Sequence, residues 1–418
     1  MTERTTGVYG YEGPPCVDHE GHIYYEPDIL REEYDIEPVP ADRRLEVVVS
    51  GGSMGGLFTA HALGQSGHDV DVFERTERGE MRGRGAGIVP DPELLLYMER
   101  HGLVEDRDEV SVVMDRLDYL DHDGSVRESR PYTIRSTSWD TFYRPLRDAV
   151  GEDAYHMGTG VVDVTREDRT ATARFEDGGS ATGDLLVAAE GYGSRTRERL
   201  LPDVELQYAG YVAWRGIIPE RELPDDLAEH LGEAFVIYHG PDFQILTYPV
   251  PGAEGSTERG DRRVNLVWYE NVPTGEELDD LLLDRDGRQR EGALPPGKLR
   301  PEIRERQNRL ARATVPEPLT RYVQTLDDLY IQCIYDLKVP RMVFDRVCLL
   351  GDGAFFVRPH MAAGTSKAAA DGFTLAEAIS THPDLSTALE AWEASQLELG
   401  DRLVEMARQR GDRYIGRF

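Results

Sequence analysis

Apolar and polar positions fall into a regular pattern abruptly at Leu45. Leu45-Glu-Val-Val-Val-Ser50 is a short apolar run and predicts a buried strand. Gly51-Gly-Ser-Met-Gly-Gly56 predicts a tight turn, and the pattern from Leu57 to Gly67 predicts a helix. Asp69-Val-Asp-Val-Phe-Glu74 predicts a second strand, so the ordered chain opens as a βαβ unit of a doubly wound sheet. Asp91-Pro92-Glu93 supplies a cap and a first-turn proline for a helix reaching about His101. Residues 111–135 alternate as strands, and Asp140 to Val150 reads as helix. Gly160 to Val187 is a β meander that turns at Asp177-Gly178 and ends in the apolar strand Leu185-Leu-Val-Ala188.

The texture changes over 204–340. Strand-like runs occur at 209–218, 234–239, 243–249 and 263–270, with polar loops at Gly252 to Arg262 and 283–300. This predicts a mainly antiparallel sheet inserted into the nucleotide-type domain. Val347-Cys-Leu-Leu350 then restores a core strand, and Ser386 to about Gly411 predicts a long amphipathic C-terminal helix. The expected fold is α/β, with a Rossmann-like domain from 44–110, 136–203 and 341–418 and a second domain from 111–135 and 204–340. Residues 1–43 have no period and carry Gly13-Pro14-Pro15, Pro27, Pro38 and Pro40, which predicts an acidic extension, disordered or draped on the surface. Tyr9, Tyr11, Tyr24 and Tyr25 favour draping.

Charge narrows the function classes. Against 78 acidic residues stand 47 basic ones, a net charge of −31, and only Lys298, Lys338 and Lys367 are lysines. Such a surface repels nucleic acid and anionic membranes. Acidic excess with so little lysine is the composition of a halophilic protein, in which concentrated salt screens the self-repulsion. Cys16, Cys333 and Cys348 have no metal-ligand spacing, so no metal is expected. No apolar run reaches the roughly 20 residues needed to span a bilayer. The start, Met-Thr-Glu-Arg, has no hydrophobic targeting segment, so a cytoplasmic protein is expected.

The turn at 51–56 has two readings. As G-x-S-x-x-G it is a dinucleotide fingerprint with serine in place of the middle glycine; as G-x-S-x-G it is the nucleophile elbow of a serine hydrolase acting through Ser53. Three facts favour the dinucleotide. The turn follows the first strand of its domain. Glu74 ends the next strand, 23 residues after Gly51, where an acid accepts from a ribose diol. The candidate triad partners Asp352 and His360 are close in sequence, whereas hydrolases place them on separate loops. Gly51 permits the sharp turn, a small residue at 53 permits close approach, and Gly56 permits helix packing. The N-terminus of the helix that follows offers free N–H groups to a pyrophosphate, and Met54, Gly55 and Gly56 are candidate cofactor-binding residues beside it. Arg75 follows Glu74 beside the same site.

Two later segments extend the pattern. Leu185-Leu-Val-Ala-Ala-Glu190-Gly191-Tyr-Gly-Ser194-Arg-Thr-Arg197 is a strand followed by an acid-Gly turn, with Glu190 where aspartate is usual. Val347-Cys-Leu-Leu-Gly351-Asp352 leads into a Pro359-His360-Met-Ala-Ala363-Gly364-Thr365 loop and a small-residue helix carrying Lys367. In order and spacing, these segments resemble the group A FAD-dependent aromatic hydroxylases, and especially the dihydroxypyridine hydroxylase branch. Gly85 to Pro90, Thr137 to Arg144, Gly210 to Gly216 and Arg358 to Gly364 support the likeness, which covers nearly everything after residue 44.

The resemblance implies an FAD-binding domain of the aromatic hydroxylase type and a substrate-binding inserted sheet. It implies NADH or NADPH as transient co-substrate, O2, and a flavin C4a-hydroperoxide that hydroxylates a small electron-rich aromatic or heteroaromatic ring. It places Asp352 on a ribityl hydroxyl, the Pro359–Thr365 loop beside the isoalloxazine, and the following helix start and Lys367 near its anionic edge. His360 is then the candidate proton acceptor, with Tyr211 and Arg215, four apart on one strand face, lining the substrate pocket. Tyr238 and His239 are further candidates. Oligomeric state stays open, a homodimer included. The rivals are an isoprenoid epoxidase or reductase on the same FAD motifs, a flavin-binding protein without turnover, and the serine hydrolase. A flavin halogenase, which needs an early lysine, is disfavoured because no lysine precedes Lys298.

Overall fold

A computed structural model describes residues 16–17, 23–24, 29–77 and 86–415. Tyr9, Tyr11, Tyr25, Gly13, Pro14, Pro15, Pro27 and Gly85 lie outside them, so the readings placed there are not addressed by the fold.

The opening unit forms as its pattern predicts. Strand β1 is Glu46–Ser50, helix α1 is Met54–Gln65 and strand β2 is Asp69–Glu74. The helix begins three residues earlier than expected, inside the glycine turn. Helix α2, Pro92–Arg100, starts at the Asp91 cap, whose side chain accepts the Glu93 amide. Strands β3 (Val112–Leu120) and β4 (Val126–Ser138) precede helix α3 (Trp139–Val150), and the meander ends in β5, Leu185–Ala188. Then come β6 (Gln207–Pro219), β7 (Phe243–Val250), β8 (Arg263–Asn271) and β9 (Tyr330–Lys338). The chain closes with β10 (Val347–Leu349) and two helices, α4 (Gly364–Thr381) and α5 (Leu385–Ile415).

Among the described residues these strands build two main sheets. The first has six strands, with β10, β5, β1 and β2 adjacent and parallel at its centre. The central strands β5 and β10 are apolar and buried along their length, as coverage of both faces requires, whereas β2 is buried only from Val72 to Glu74. Helices α1 and α4 pack so closely that a Cβ on Gly372 would lie 2.4 Å from Thr59 Oγ1. The second sheet runs β9-β6-β8-β7 and continues through Phe235–His239 to β3 and β4. It is antiparallel except where Phe235–His239 pairs with β3.

The large sheet has two different faces because its strands alternate. Val212, Trp214, Leu266 and Trp268 point to one side, where Leu319, Tyr322 and Val323 of the helix Glu317–Thr325 cover them. That helix and its neighbour Pro301–Thr314 were not expected from the sequence. The neighbour buries only Ile303, Gln307 and Ala311, too thin an apolar stripe to stand out among its arginines and glutamates. Tyr211, Ala213, Val267 and Tyr269 point to the other side, with Ile415 of α5 against them.

Residues 29–43 of the extension are draped rather than free. Ile29 and Leu30 are buried, Tyr34 packs on Phe373 with ring centroids 5.2 Å apart, and the Val39 amide donates to the Ser66 carbonyl at 2.9 Å. The Asp35 amide donates to Glu377 Oε1 at 3.0 Å, and Arg31 pairs with the same carboxylate. This segment therefore straps the outer side of α4.

Candidate active site

Register brings the three sequence segments together. Ser50 is opposite Phe73 and Ala188, and Ala188 is opposite Leu349. The turns that follow β1, β5 and β10 therefore sit side by side at the carboxyl ends of parallel strands, the place where open α/β sheets bind ligands. Asp352 is thus in the same crevice as Gly51, two strands away.

The first turn is held by contacts that tolerate no side chain. Gly51 has φ +106°, and a Cβ there would lie 2.3 Å from the Ala189 carbonyl oxygen. A Cβ on Gly56 would lie 1.9 Å from the Gly51 oxygen. Glu74 is buried and accepts the Gly52 amide and the Thr76 amide, each at 2.8 Å. Its carboxylate keeps further acceptor capacity for a diol. Tyr155 closes the other side, donating to the Gly52 carbonyl at 2.7 Å. Ser53 does not cap α1; its Oγ accepts the Trp139 indole N–H at 3.1 Å. The first-turn N–H groups at Met54, Gly55 and Gly56 consequently have no side-chain cap, and no acid lies in that turn. Arg75 is exposed at the end of β2.

The second turn is braced from within. Glu190 accepts four hydrogen bonds: from Ser50 Oγ, Ser194 Oγ and Thr196 Oγ1, each at 2.7 Å, and from the Thr196 amide at 3.0 Å. Arg197, almost fully buried, donates to the Tyr192 carbonyl at 2.6 Å. Gly191 (φ +73°) and Gly193 have nothing within 4 Å of where a Cβ would stand, so the turn's surface is open at both.

At the third turn Gly351 has φ +61°, and its amide donates to Asp371 Oδ2 at 2.8 Å. Lys367 donates to the same oxygen at 2.7 Å. Burial pushes the Asp352 carboxyl up to about 6; Lys367 opposes the shift and Asp371 adds to it. Pro359 and Thr365 are half-buried and Ala363 is buried. Ala362 sits in the left-handed region at φ +53°, which turns the loop into α4. Helix α4 also starts with no side-chain cap and no acid, and a Cβ on Gly364 would be 3.9 Å from Asp352 Oδ1.

The Pro359 loop meets the large sheet. Arg358 is buried and grips Asp336 of β9 at 2.8 and 2.7 Å and Asp412 of α5 at 3.0 Å. His360 Nε2 is 2.8 Å from the Tyr211 hydroxyl, and its ring centroid is 4.5 Å from that of Tyr269. Burial, with Arg358, Arg410 and His239 nearby, holds the His360 ring down at about 3. Arg215 shares the Tyr211 face, as the spacing of four predicts, and its charge acts on the buried hydroxyls of Tyr248, Tyr269 and Tyr330.

The comparisons with known proteins converge on one family. The chain is 34% identical over 375 residues to the 2,6-dihydroxypyridine 3-monooxygenase of Paenarthrobacter nicotinovorans, covering 90% of this chain and 92% of that one. The chain belongs to the FAD-dependent aromatic hydroxylases. The solved structure of 2,6-dihydroxypyridine-3-hydroxylase from Arthrobacter nicotinovorans superposes with a TM-score of 0.83 at 33% identity, over 89% of this chain and 94% of that one. Klebsiella pneumoniae HpxO complexed with FAD and uric acid gives a TM-score of 0.72 at 25% identity, over 89% of each chain. The family described as FAD binding domain-like matches residues 208–336. This protein is therefore an enzyme, a flavoprotein monooxygenase with FAD as its cofactor.

Membership agrees with the local chemistry. Two uncapped helix starts, glycine turns open to close approach and an acid at the end of β2 suit a dinucleotide with a central pyrophosphate. For the hydrolase reading, Ser53 would need a histidine on its hydroxyl; among the described residues it receives a tryptophan. No helix is long and apolar enough to cross a membrane among the described residues. Likewise no metal-binding group of His, Cys, Asp or Glu occurs there.

Sequence reasoning missed Trp139 and Tyr155, which clamp the first turn, and Asn265, which shares the Tyr211 and Arg215 side of the large sheet. Trp139 was within reach, inside the quoted Thr137–Arg144 segment. Asn265 left a signal too, as a lone amide in the otherwise apolar run from Val264 to Trp268.

Proposed function

We propose that this hydroxylase acts on a small heteroaromatic ring of the hydroxypyridine type, with NADH or NADPH as electron donor and O2 as oxidant. The supporting observation is the His360–Tyr211 hydrogen bond, which joins the loop after the third turn to the face of the large sheet. That contact frames a site between Tyr211, Arg215, Tyr269 and the Pro359–Thr365 loop, and we read the sheet of 111–135 and 204–340 as the substrate domain. FAD supplies the hydride acceptor and the oxygen-activating centre.

The residues divide the remaining work. Gly51, Ser53, Met54, Gly55 and Gly56 receive the pyrophosphate, Glu74 the ribose, and Arg75 flanks it. Gly191, Gly351 and Asp352 line the ribityl chain, and Pro359, Ala363, Gly364 and Thr365 lie along the ring system. Glu190 acts one step back, as a positioning residue, because its four acceptor directions are filled by protein donors. The packed face of the sheet excludes water from the reacting ring. An isoprenoid substrate fits less well, since the polar groups of Arg215, Asn265 and His360 would face a polyene with no acceptor to offer. The acidic, lysine-poor composition supports a halophilic, cytoplasmic setting.

The test is the purified protein in concentrated KCl, assayed for ring-stimulated NAD(P)H oxidation and hydroxylated product. Hydroxypyridines should stimulate more than hydroxybenzoates, and polyenes should not stimulate at all. A hydroxylated polyene product would overturn the reading.

A further inference from the structure

Helices α1 and α4 run parallel, side by side, and touch at three levels. Near their starts, a Cβ on Gly55 would lie 3.4 Å from that of Ala368. In the middle, Gly372 sits against Thr59, and at the far end Ser66 Oγ is 3.3 Å from Ser380 Oγ. Both helices therefore begin at the crevice, each without a side-chain cap or a first-turn acid, and both end together on the other side of the domain. At 1.5 Å per residue, Ser66 is about 18 Å along the axis from Met54, and His382 about 27 Å from Gly364. Packing this close has little compressibility, so a shift at one end of the pair is felt at the other.

Residues 29–43 grip those far ends. The Val39 amide donates to the carbonyl of Ser66, the residue that closes α1, at 2.9 Å. The Arg43 guanidinium donates to the carbonyls of Ile379 and His382, at the end of α4, at 2.7 and 2.5 Å. A helix end leaves such carbonyls without partners of its own, and a cation there complements the helix dipole. Between the two grips, Tyr34 packs on Phe373 of α4, which stacks on Tyr97 of α2 with centroids 3.9 Å apart. Arg100 of α2 donates to the Glu32 carbonyl at 2.5 Å. Among the described residues, every hydrogen-bond and ring partner of the strap on α4 lies at Phe373 or beyond, in the half away from the crevice.

The strap's own charge opposes its docking. Glu32, Glu33, Asp35, Glu37 and Asp42 are exposed, and only Arg31 and Arg43 offset them on a chain of net charge −31. What holds the strap is the burial of Ile29, Leu30 and Val39 together with the arginine contacts. Salt screens the repulsion between like charges and leaves the apolar burial in place, so docking strengthens as salt is added.

We propose that Val39 and Arg43 are positioning residues for the cofactor. By holding the C-terminal ends of α1 and α4, they fix the spacing of the two uncapped helix starts that frame the crevice. FAD affinity then depends on the docked strap, and salt governs the docking, although the strap's contacts lie far from the flavin. Coupling of this kind is reciprocal: if docking tightens FAD, bound FAD tightens docking by the same factor.

The experiment strips FAD from the full chain and titrates it back, read by quenching of flavin fluorescence, in dilute and in concentrated KCl. In concentrated KCl, Arg43→Gln should weaken FAD binding roughly fivefold or more. Arg43→Lys keeps the charge without the fork and should restore part of the affinity. The protein lacking residues 1–43 should lose at least as much as Arg43→Gln. In dilute KCl the gap between parent and variants should narrow, because the parent's strap is then released as well. In the unaltered protein, hydrogen exchange at the Val39 amide should slow by the same factor when FAD is added. A strap that only stabilises the fold would leave that exchange indifferent to FAD, and this result, or equal FAD affinity in parent and Arg43→Gln in concentrated KCl, would overturn the proposal. A gap that stays constant or widens as salt is removed would overturn the salt control. Should the shortened chain fail to fold, the exchange measurement on the unaltered protein decides alone.

Discussion

Lys367 and Asp371 form an ion pair of 2.7 Å in which neither side chain has more than 1% of its surface exposed. The pair lies directly beneath the Gly351 turn, since Asp371 also accepts the Gly351 amide. The sequence suggested that Lys367 serves the flavin directly. The fold instead aims it into the protein, over the Phe355 ring at 4.8 Å. Lys367→Met strands a buried carboxylate and should cost about 3–5 kcal/mol of stability. Adding Asp371→Leu should restore only part of this, because the Gly351 amide then loses its acceptor, worth about 1–3 kcal/mol. Denaturant unfolding of the three variants checks the order; full recovery in the double variant would show that the amide bond contributes nothing.

Glu190 makes a counterintuitive prediction. Changing it to aspartate installs the residue usual at this place in the family pattern. Here the longer side chain spans four donors on both flanks, from Ser50 to Thr196. A carboxylate one methylene shorter cannot reach all of them. Glu190→Asp should therefore lose about 1–3 kcal/mol and release FAD more readily. Flavin retention on gel filtration and thermal unfolding read the two effects separately.

What could be read in the chain beforehand follows from the range of the interactions. The βαβ opening, the capped helix at Asp91 and the Gly351–Asp352 turn depend on neighbours in sequence, so pattern and turn chemistry reveal them. Tyr211 and Arg215 sharing a face follows from strand alternation alone. The partner of Tyr211 does not, because His360 is 149 residues away and the contact exists only once loop and sheet have docked. The helices at 301–325 escaped for a related reason: their burial is set by the sheet they cover rather than by a broad stripe of their own.

Asp352 predicts a pH effect. Its folded value of about 6 lies above the ordinary 3.8, so the folded chain holds this proton more tightly than the unfolded chain. The stabilising contribution is complete below about pH 4 and is lost as pH rises through about 6. The full shift corresponds to about 3 kcal/mol, reduced by partial contact with solvent to about half of that. The flavin-free protein should become less stable, relative to Asp352→Asn, across that window. Parallel pH profiles of the two proteins would remove Asp352 as the cause.

Salt should separate the buried pairs from the surface charge. The net charge of −31 drives self-repulsion that reaches about 10 Å at 0.1 M salt and only about 3 Å at 1 M. Melting temperature should therefore climb by several degrees between those concentrations of KCl. The Arg358–Asp336 pair, with side chains 5% and 10% exposed, lies out of reach of that screening. Arg358→Leu leaves Asp336 buried with Arg408, at 3.4 Å, as its one ion-pair partner among the described residues, and unties the His360 loop from β9. Its cost, about 3–5 kcal/mol, should be the same at both concentrations, while the melting temperatures of variant and parent rise in parallel. A cost that shrinks as salt is added would mean that the pair is wet, and that the loop carrying His360 is held by something other than this guanidinium.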